Sequence, residues 1–224
     1  MVLTGAGMSA ESGVSTFRDA GGLWEGHDIM EVASPQGFAA NPALVLDFYN
    51  QRRRQLFEVE PNEAHKALVS LEKDFEVNII TQNVDDLHER AGSTAILHLH
   101  GELLKARSVQ DDSAIIPWKG DMQVGDRAAD GFQIRPHIVW FGEAVPMLEP
   151  AVAITEKADI LLIIGTSMQV YPAASLINYV SPGIPIYFID PNPAVATGDF
   201  NNLVVIPQKA TLGMQTLIRH YLHG

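Results

Sequence analysis

The chain of 224 residues contains no cysteine. That excludes a disulfide framework, a cysteine-based zinc site and thiol catalysis. Basic residues are scarce, with 15 Lys and Arg against 27 Asp and Glu and a formal net charge of −12. This balance gives no support for gripping a nucleic-acid backbone, which takes clustered Lys and Arg. It suits a protein that attracts basic partners. Long apolar runs are missing too. The longest, Ile160 to Ile164, is far too short to span a bilayer, and no secretory signal pattern is visible. These absences predict a soluble, cytoplasmic protein that partners neither nucleic acid nor membrane. What is present is ordinary for a folded domain: 46% hydrophobic and 19% charged residues, enough for one core with a small insert.

Turn and cap signals divide the chain. Met1–Thr4 reads as the last part of a strand whose start is expected a few residues upstream. Residues 19–41, rich in Gly and interrupted by Pro35 and Gly37, read as loop. Asn41-Pro42 supplies an N-cap and a first-turn proline for a helix to about Phe57. Asn62-Glu63 opens a second helix, to about Asp74. A strand is expected at Val77–Thr81, a short helix at Val84–Ala91 ending at Gly92, and a strand at Ala95–His100. Residues 102–140 read as irregular, with short β segments near 103–109 and 134–140. Ile160–Ile164, capped by Asp159 and Gly165, suits a parallel strand covered on both faces. A helix at 172–180, a strand at 185–189 ending in Asp190 and a helix at 212–222 follow. Alternating strands and helices give an α/β fold with a mainly parallel sheet.

Five segments carry candidate chemistry. Gly5-Ala6-Gly7-Met8-Ser9 follows a strand, as a dinucleotide-binding turn does, although a plain glycine turn fits as well. The usual acidic residue about 20 positions on has only Glu25 as a candidate, in a glycine-rich loop, so a dehydrogenase fingerprint fails. Gly165-Thr166-Ser167 and the later Asp190 form a second strand–helix–strand unit with a carboxylate placed for ribose hydroxyls; helix capping and an Asx turn are the structural alternatives. Gln82, Asn83 and Asp85 follow a strand end and can bind hydroxyls or an amide, or else cap a helix. In Leu97-His98-Leu99-His100-Gly101, His100 is placed as a general base. A metal pair with His98 lacks obvious further ligands. Finally, Tyr49 and Arg52 share a helical face on which a carboxylate could be held by a forked contact. Otherwise Arg52-Arg53-Arg54 reads as a solvated basic turn.

Taken in order, these segments closely resemble the sirtuins, the NAD-dependent protein-lysine deacylases. Gly5–Gly13 with Thr16-Phe17-Arg18, then Thr81–Asp85 with Leu87-His88, Leu97–Gly101, Val139–Glu143 and Gly165–Ser167 all match family motifs. The resemblance implies a Rossmann-like large domain over about 1–18, 60–103 and 140–224. A helical module would span 19–59, and a small segment equivalent to a zinc ribbon 104–139. It implies that Ala6, Phe17, Arg18, Gln82, Asn83 and Asp85 hold the nicotinamide ribose end of NAD, with Gly5, Gly7 and Ser9 also binding the cofactor. Gly165, Thr166, Ser167 and Asp190 would hold the adenosine side, and His100 would be the catalytic base. Val139, Phe141, Gly142 and Glu143 would pair the backbone of an acylated-lysine protein or peptide as an added strand. Tyr49 and Arg52 resemble the pocket of members that remove succinyl or malonyl groups. The implied reaction starts with attack of the acyl oxygen on C1′ of the nicotinamide ribose. Nicotinamide leaves, His100 takes a proton from the ribose hydroxyls, and lysine and O-acyl-ADP-ribose are released.

Two departures stand out. The family's four zinc cysteines are absent, and Ser108 and the stretch from Asp111 to Asp130 occupy their place. Metal-free packing around Ile115, Ile116, Trp118 and Phe132 is expected instead. Asp190 stands where the family usually has Asn, which would repel a 2′-phosphate and favour NAD over NADP. The rival readings are an NAD-dependent ADP-ribosyltransferase and a non-catalytic NAD or ADP-ribose binding module. Against the second stand His100 and the Tyr49/Arg52 pair, which binding alone does not need.

Overall fold

A computed structural model describes residues 1–15, 23–24, 26–193 and 200–222. Thr16, Phe17, Arg18 and Glu25 lie outside the described residues. In chain order the elements are β1 (Val2–Thr4), α1 (Ala6–Ser9), β2 (Leu23–Trp24), β3 (His27–Asp28), α2 (Ile29–Val32), α3 (Pro35–Ala40), α4 (Pro42–Leu56) and α5 (Glu63–Leu71). Then come β4 (Ile79–Thr81), α6 (Leu87–Ala91), β5 (Ile96–His98), β6 (Gly101–Ser108), β7 (Ile115–Pro117), β8 (Ile134–Ile138) and α7 (Leu148–Thr155). The chain ends with β9 (Leu161–Ile164), a 3₁₀ helix (Ala173–Tyr179), β10 (Ile186–Ile189), β11 (Leu203–Ile206), α8 (Ala210–Leu217) and a π turn (Ile218–Leu222).

Six strands form one parallel sheet in the order β11-β10-β9-β1-β4-β5. The chain works outward from β1 to β5 on one side, then returns to β9 on the other. That is the doubly wound order, with its switch point between β1 and β9, and ligands bind such sheets outside the carboxyl ends of the strands at that point. Successive side chains alternate between two cores. Val2, Ile79, Leu162, Ile164, Tyr187 and Ile189 pack with α5 and α8. Leu3, Ile80, Leu161, Ile163, Ile186 and Phe188 point the other way, toward α7 and the 3₁₀ helix. Burial on both faces explains why these strands are apolar throughout.

The sheet turns back on itself through glycine. The N–H of Gly5 donates to the Ile164 carbonyl (3.0 Å) and that of Gly7 to Gly165 (2.8 Å). A Cβ on Gly7 would sit 2.7 Å from the Gly165 Cα, and Gly165 itself has φ +62°. Side chains at either position would push β1 and β9 apart at the switch point.

Residues 101–138 form a three-stranded antiparallel sheet, β7-β6-β8, where the sequence reads as mostly irregular. Its core is not the one expected. Ile115, Ile116 and Phe132 are exposed. Leu46, Ala106, Met122 and Ile134 are buried instead, with Phe38, Trp118 and Ala128 against them. Helix α4 supplies the stitching. Asn50 donates Nδ2 to the Met122 carbonyl and accepts from the Met122 N–H, both at 2.8 Å. Arg53, only 1% exposed, donates to Leu103 (3.0 Å), to Asn50 Oδ1 (2.7 Å) and to Gly120 (3.3 Å). Ser108 bonds Asp130. Side-chain hydrogen bonds to backbone thus bind this sheet to the helical module, and the basic triplet is no solvated turn.

Other expectations also shift. Residues 29–40, read as loop, hold two short helices, and α7 and β11 were not foreseen. The expected helix at 172–180 winds as 3₁₀, and α5 ends at Leu71, before Asp74. No helix among the described residues is long and apolar enough to cross a membrane.

Candidate active site

The carboxyl ends of β1, β4, β5 and β9 converge on one polar cluster. Thr4 and Thr81 are register partners on β1 and β4. Thr4 donates Oγ1–H to Thr81 Oγ1 (2.8 Å), which also accepts from the Asn83 N–H (3.0 Å). Having donated its hydrogen, Thr4 accepts from His88 Nε2 at 3.1 Å. Burial drives His88 down to about 3 and its ring neighbour His65 to about 4, so both are neutral at physiological pH. Asn83 Nδ2 donates to Ser9 Oγ (3.1 Å), and Ser9 bonds the Asp85 carboxyl.

Asp85 is buried, and that burial raises its pKa above the ordinary carboxylate value. One oxygen accepts the Leu87 N–H (3.2 Å), a turn bond leading into α6; the N-cap itself is Asp86, not Asn83 or Asp85 as the capping alternative had it. Gln82 donates Nε2 to Thr166 Oγ1 (3.0 Å), which also accepts the Met168 N–H (3.2 Å). This bond joins the β4 end to the β9 end across the switch point. Met168 has φ +53°, an uncommon left-handed conformation for a non-glycine residue, and it marks a tightly held turn. Asp190, buried at the end of β10, accepts the Asn192 N–H at 2.8 Å. Ala6 is exposed on α1, and Ser167 is half-buried.

The two histidines of Leu97–Gly101 have opposite chemistry. His100 Nδ1 lies 3.1 Å from the Gln82 carbonyl. A carbonyl only accepts, so Nδ1 carries the hydrogen and the Nε2 lone pair is left to take a proton. Burial lowers its pKa, partly opposed by the Gln82 carbonyl, so it is a neutral base at physiological pH. His98 lies between two acceptors, the Asn83 carbonyl (3.0 Å) and Glu89 Oε1 (2.7 Å). Burial works against its charge, but Glu89 and the Asn83 carbonyl outweigh it and raise its pKa. Acceptors on both nitrogens favour its protonated form.

On α4, Tyr49 is wholly buried. Its oxygen accepts from Trp140 Nε1 (2.9 Å), and burial pushes its pKa far up. Arg52 lies flat on the Phe48 ring, 3.4 Å from its centroid, and donates to the Phe48 carbonyl at 2.8 Å. In the 139–143 segment, the N–H groups of Val139, Trp140, Phe141 and Glu143 are donated within the protein. The segment therefore has carbonyl oxygens more than donors to offer an incoming chain. The Glu143 carboxylate is anchored by Arg135 (2.6 and 3.0 Å) and Arg107 (3.4 Å). Phe141 is exposed, and Gly142 takes φ +88°.

Of the residues singled out in the sequence, Ser9, Gln82, Asn83, Asp85, Thr166 and His100 lie together at one end of the sheet. Thr4, Thr81, His65, His88 and Trp140 were given no role from sequence. The paired threonines at two strand ends were the available signal. The residues present fit a dinucleotide: a glycine-tight turn, buried amide and hydroxyl donors, and a strand-end carboxylate at a doubly wound switch point.

This is the architecture of an NAD-binding Sir2 fold. The Sir2 family model matches residues 5–172, and the chain belongs to the Sir2 family. The NAD-dependent protein deacylase of Helicobacter pylori strain J99 is 61% identical over 218 residues, covering 97% of this chain and 93% of its own. A Sir2 homolog solved as an NAD complex is 39% identical with a TM-score of 0.88, over 98% of this chain and 88% of that one. A Sir2 protein bound to an acetylated peptide is 25% identical with a TM-score of 0.79, over 97% and 91%.

Proposed function

We propose that the protein is an NAD-dependent protein-lysine deacylase acting on acetyl-lysine and also on succinyl- or malonyl-lysine. The observation that carries this reading is His100. Its Nδ1–H is tied to the Gln82 carbonyl and its Nε2 is left as a neutral base beside the nucleotide-binding turns. Bound NAD supplies a ribose carbon with nicotinamide as a ready leaving group. The protein's part is to bind, orient and move one proton. Gln82, Asn83, Ser9 and Asp85 form a hydrogen-bonded floor whose polar atoms are held in fixed directions. His100 Nε2 takes a hydroxyl proton, a task suited to an imidazole titrating near or below neutrality. No hydride moves, so the glycine turn serves binding without redox chemistry.

The acidic-acyl reading rests on Tyr49 and Arg52. The Tyr49 hydroxyl accepts from Trp140, and a phenolic O–H is by its chemistry a donor as well as an acceptor. Arg52 is close enough to favour the phenolate electrostatically, so a carboxylate reaching both would gain a charged and a neutral donor. Asp190 favours NAD over NADP, because a 2′-phosphate would meet a carboxylate.

His100→Ala tests the catalytic assignment. The variant is expected to bind NAD in calorimetry as the parent does and to lose turnover of an acetyl-lysine peptide. Full turnover would remove His100 from the reaction.

A further inference from the structure

We propose that Glu89, His98 and Glu102 form a site for a divalent transition-metal ion, zinc suiting it best. The three residues come from α6, the end of β5 and the start of β6, and one ligand atom from each lies within 4.8 Å of the others. The site opens on a groove of ≈ 940 Å³ between the β5 edge and the three-stranded sheet. It is separate from the stretch where the family's cysteines stand, and also from His100, whose Nδ1 is committed to Gln82.

Three observations support it. First, His98 is held as ligating histidines are held: Nδ1–H donates to the Asn83 carbonyl and Nε2 points at carboxylate. Second, the charges match. Glu89 and Glu102 bring two negative charges, which one divalent ion neutralises; Glu89 Oε1 lies 2.7 Å from His98 Nε2, and Lys105 Nζ lies 2.5 Å from Glu102. An ion there would displace the Lys105 side chain, which is 41% exposed, from Glu102. Third, His137 faces Glu102 in the β6–β8 register and lines the same groove. Its Nδ1 is buried with no hydrogen-bond partner, so a further nitrogen donor stands close by. One imidazole and two carboxylates suit zinc, whereas Mg²⁺ and Ca²⁺ prefer oxygen alone. A metal here would clamp α6 and β6 to the strand that leads into His100.

The test is a calorimetric titration of chelator-treated, full-length protein with zinc chloride, and with magnesium chloride as the contrast. One zinc per chain at micromolar or tighter affinity is expected, with no response to magnesium. Glu102→Gln should weaken zinc binding by about tenfold or more without changing the melting temperature of the metal-free protein. Lys105→Ala should tighten binding, because it uncovers Glu102. His220→Gln, a change at an exposed histidine elsewhere, should have no effect. Cobalt(II) in the same site should show visible bands that Glu102→Gln abolishes. Absence of zinc binding at these concentrations would overturn the proposal, and so would binding indifferent to both Glu102→Gln and Lys105→Ala.

Discussion

His98 and His100 are two residues apart, yet their surroundings shift them in opposite directions, His98 toward its charged form and His100 toward its neutral one. The difference lies in what faces each ring. Glu89 reaches His98, whereas His100 faces the Gln82 carbonyl. Sequence alone singled out His100, because a histidine beside a glycine at a strand end is exposed to ligand. It could not show Glu89 and Glu102 closing on His98, since α6 and β6 meet there only in the fold. Because burial lowers the His100 pKa below its ordinary 6.5, the base is unprotonated above that lowered value and is lost as pH falls through it. The acid limb of kcat/KM should therefore lie below pH 6.5 in a pH–rate profile; a limb above it would contradict a buried neutral base. Arg52 belongs to this scale as well. Arg52→Met is expected to leave deacetylation near its parent rate and lower desuccinylation by about tenfold or more, the loss of a charged hydrogen bond of about 1.5–3 kcal/mol. Equal losses on both acyl groups in parallel peptide assays would rule out a selective carboxylate contact.

Among the elements, α4 does the most connecting. Its start was legible: Asn41 caps Leu44 and Pro42 sits in the first turn. Its function as a strut was not, because Arg52, Arg53 and Arg54 are identical in type and differ only in what they contact in the fold. Arg52 stacks on Phe48, Arg53 is buried against Leu103 and Gly120, and Arg54 pairs with Asp121 at the surface. Asn50→Ala would leave both polar groups of Met122 and part of Arg53 unmatched in a buried place. A cost of about 2–4 kcal/mol is expected, read as a lower urea midpoint. A midpoint unchanged from the parent would mean that the cysteine-free sheet is held by its apolar core alone. Among the helices missed from sequence, α3 holds Pro35 and α7 holds Pro150, each in the first turn, where the missing N–H costs little, and α2 is a single turn. The strand β11 is only four residues long, too short for its periodicity to declare it.

For the whole molecule, the ordered motifs announced both the sheet and the crevice, because each lies at the carboxyl end of a strand and the strand order follows from the crossovers. The small sheet was the illegible part. Loss of the cysteines says that one device is gone, and only the packed structure shows that Asn50, Arg53, Met122 and Ile134 stand in its stead. The central claim is that this crevice couples NAD consumption to removal of an acyl group from lysine. It is tested most directly by mass spectrometry of matched acetyl-lysine and succinyl-lysine peptides, with and without NAD. The expected result is loss of both acyl groups only when NAD is present, with nicotinamide and O-acyl-ADP-ribose formed in step. NAD bound with neither peptide changed would contradict it and favour a binding module. ADP-ribose attached to protein, with the acyl groups left in place, would favour a transferase.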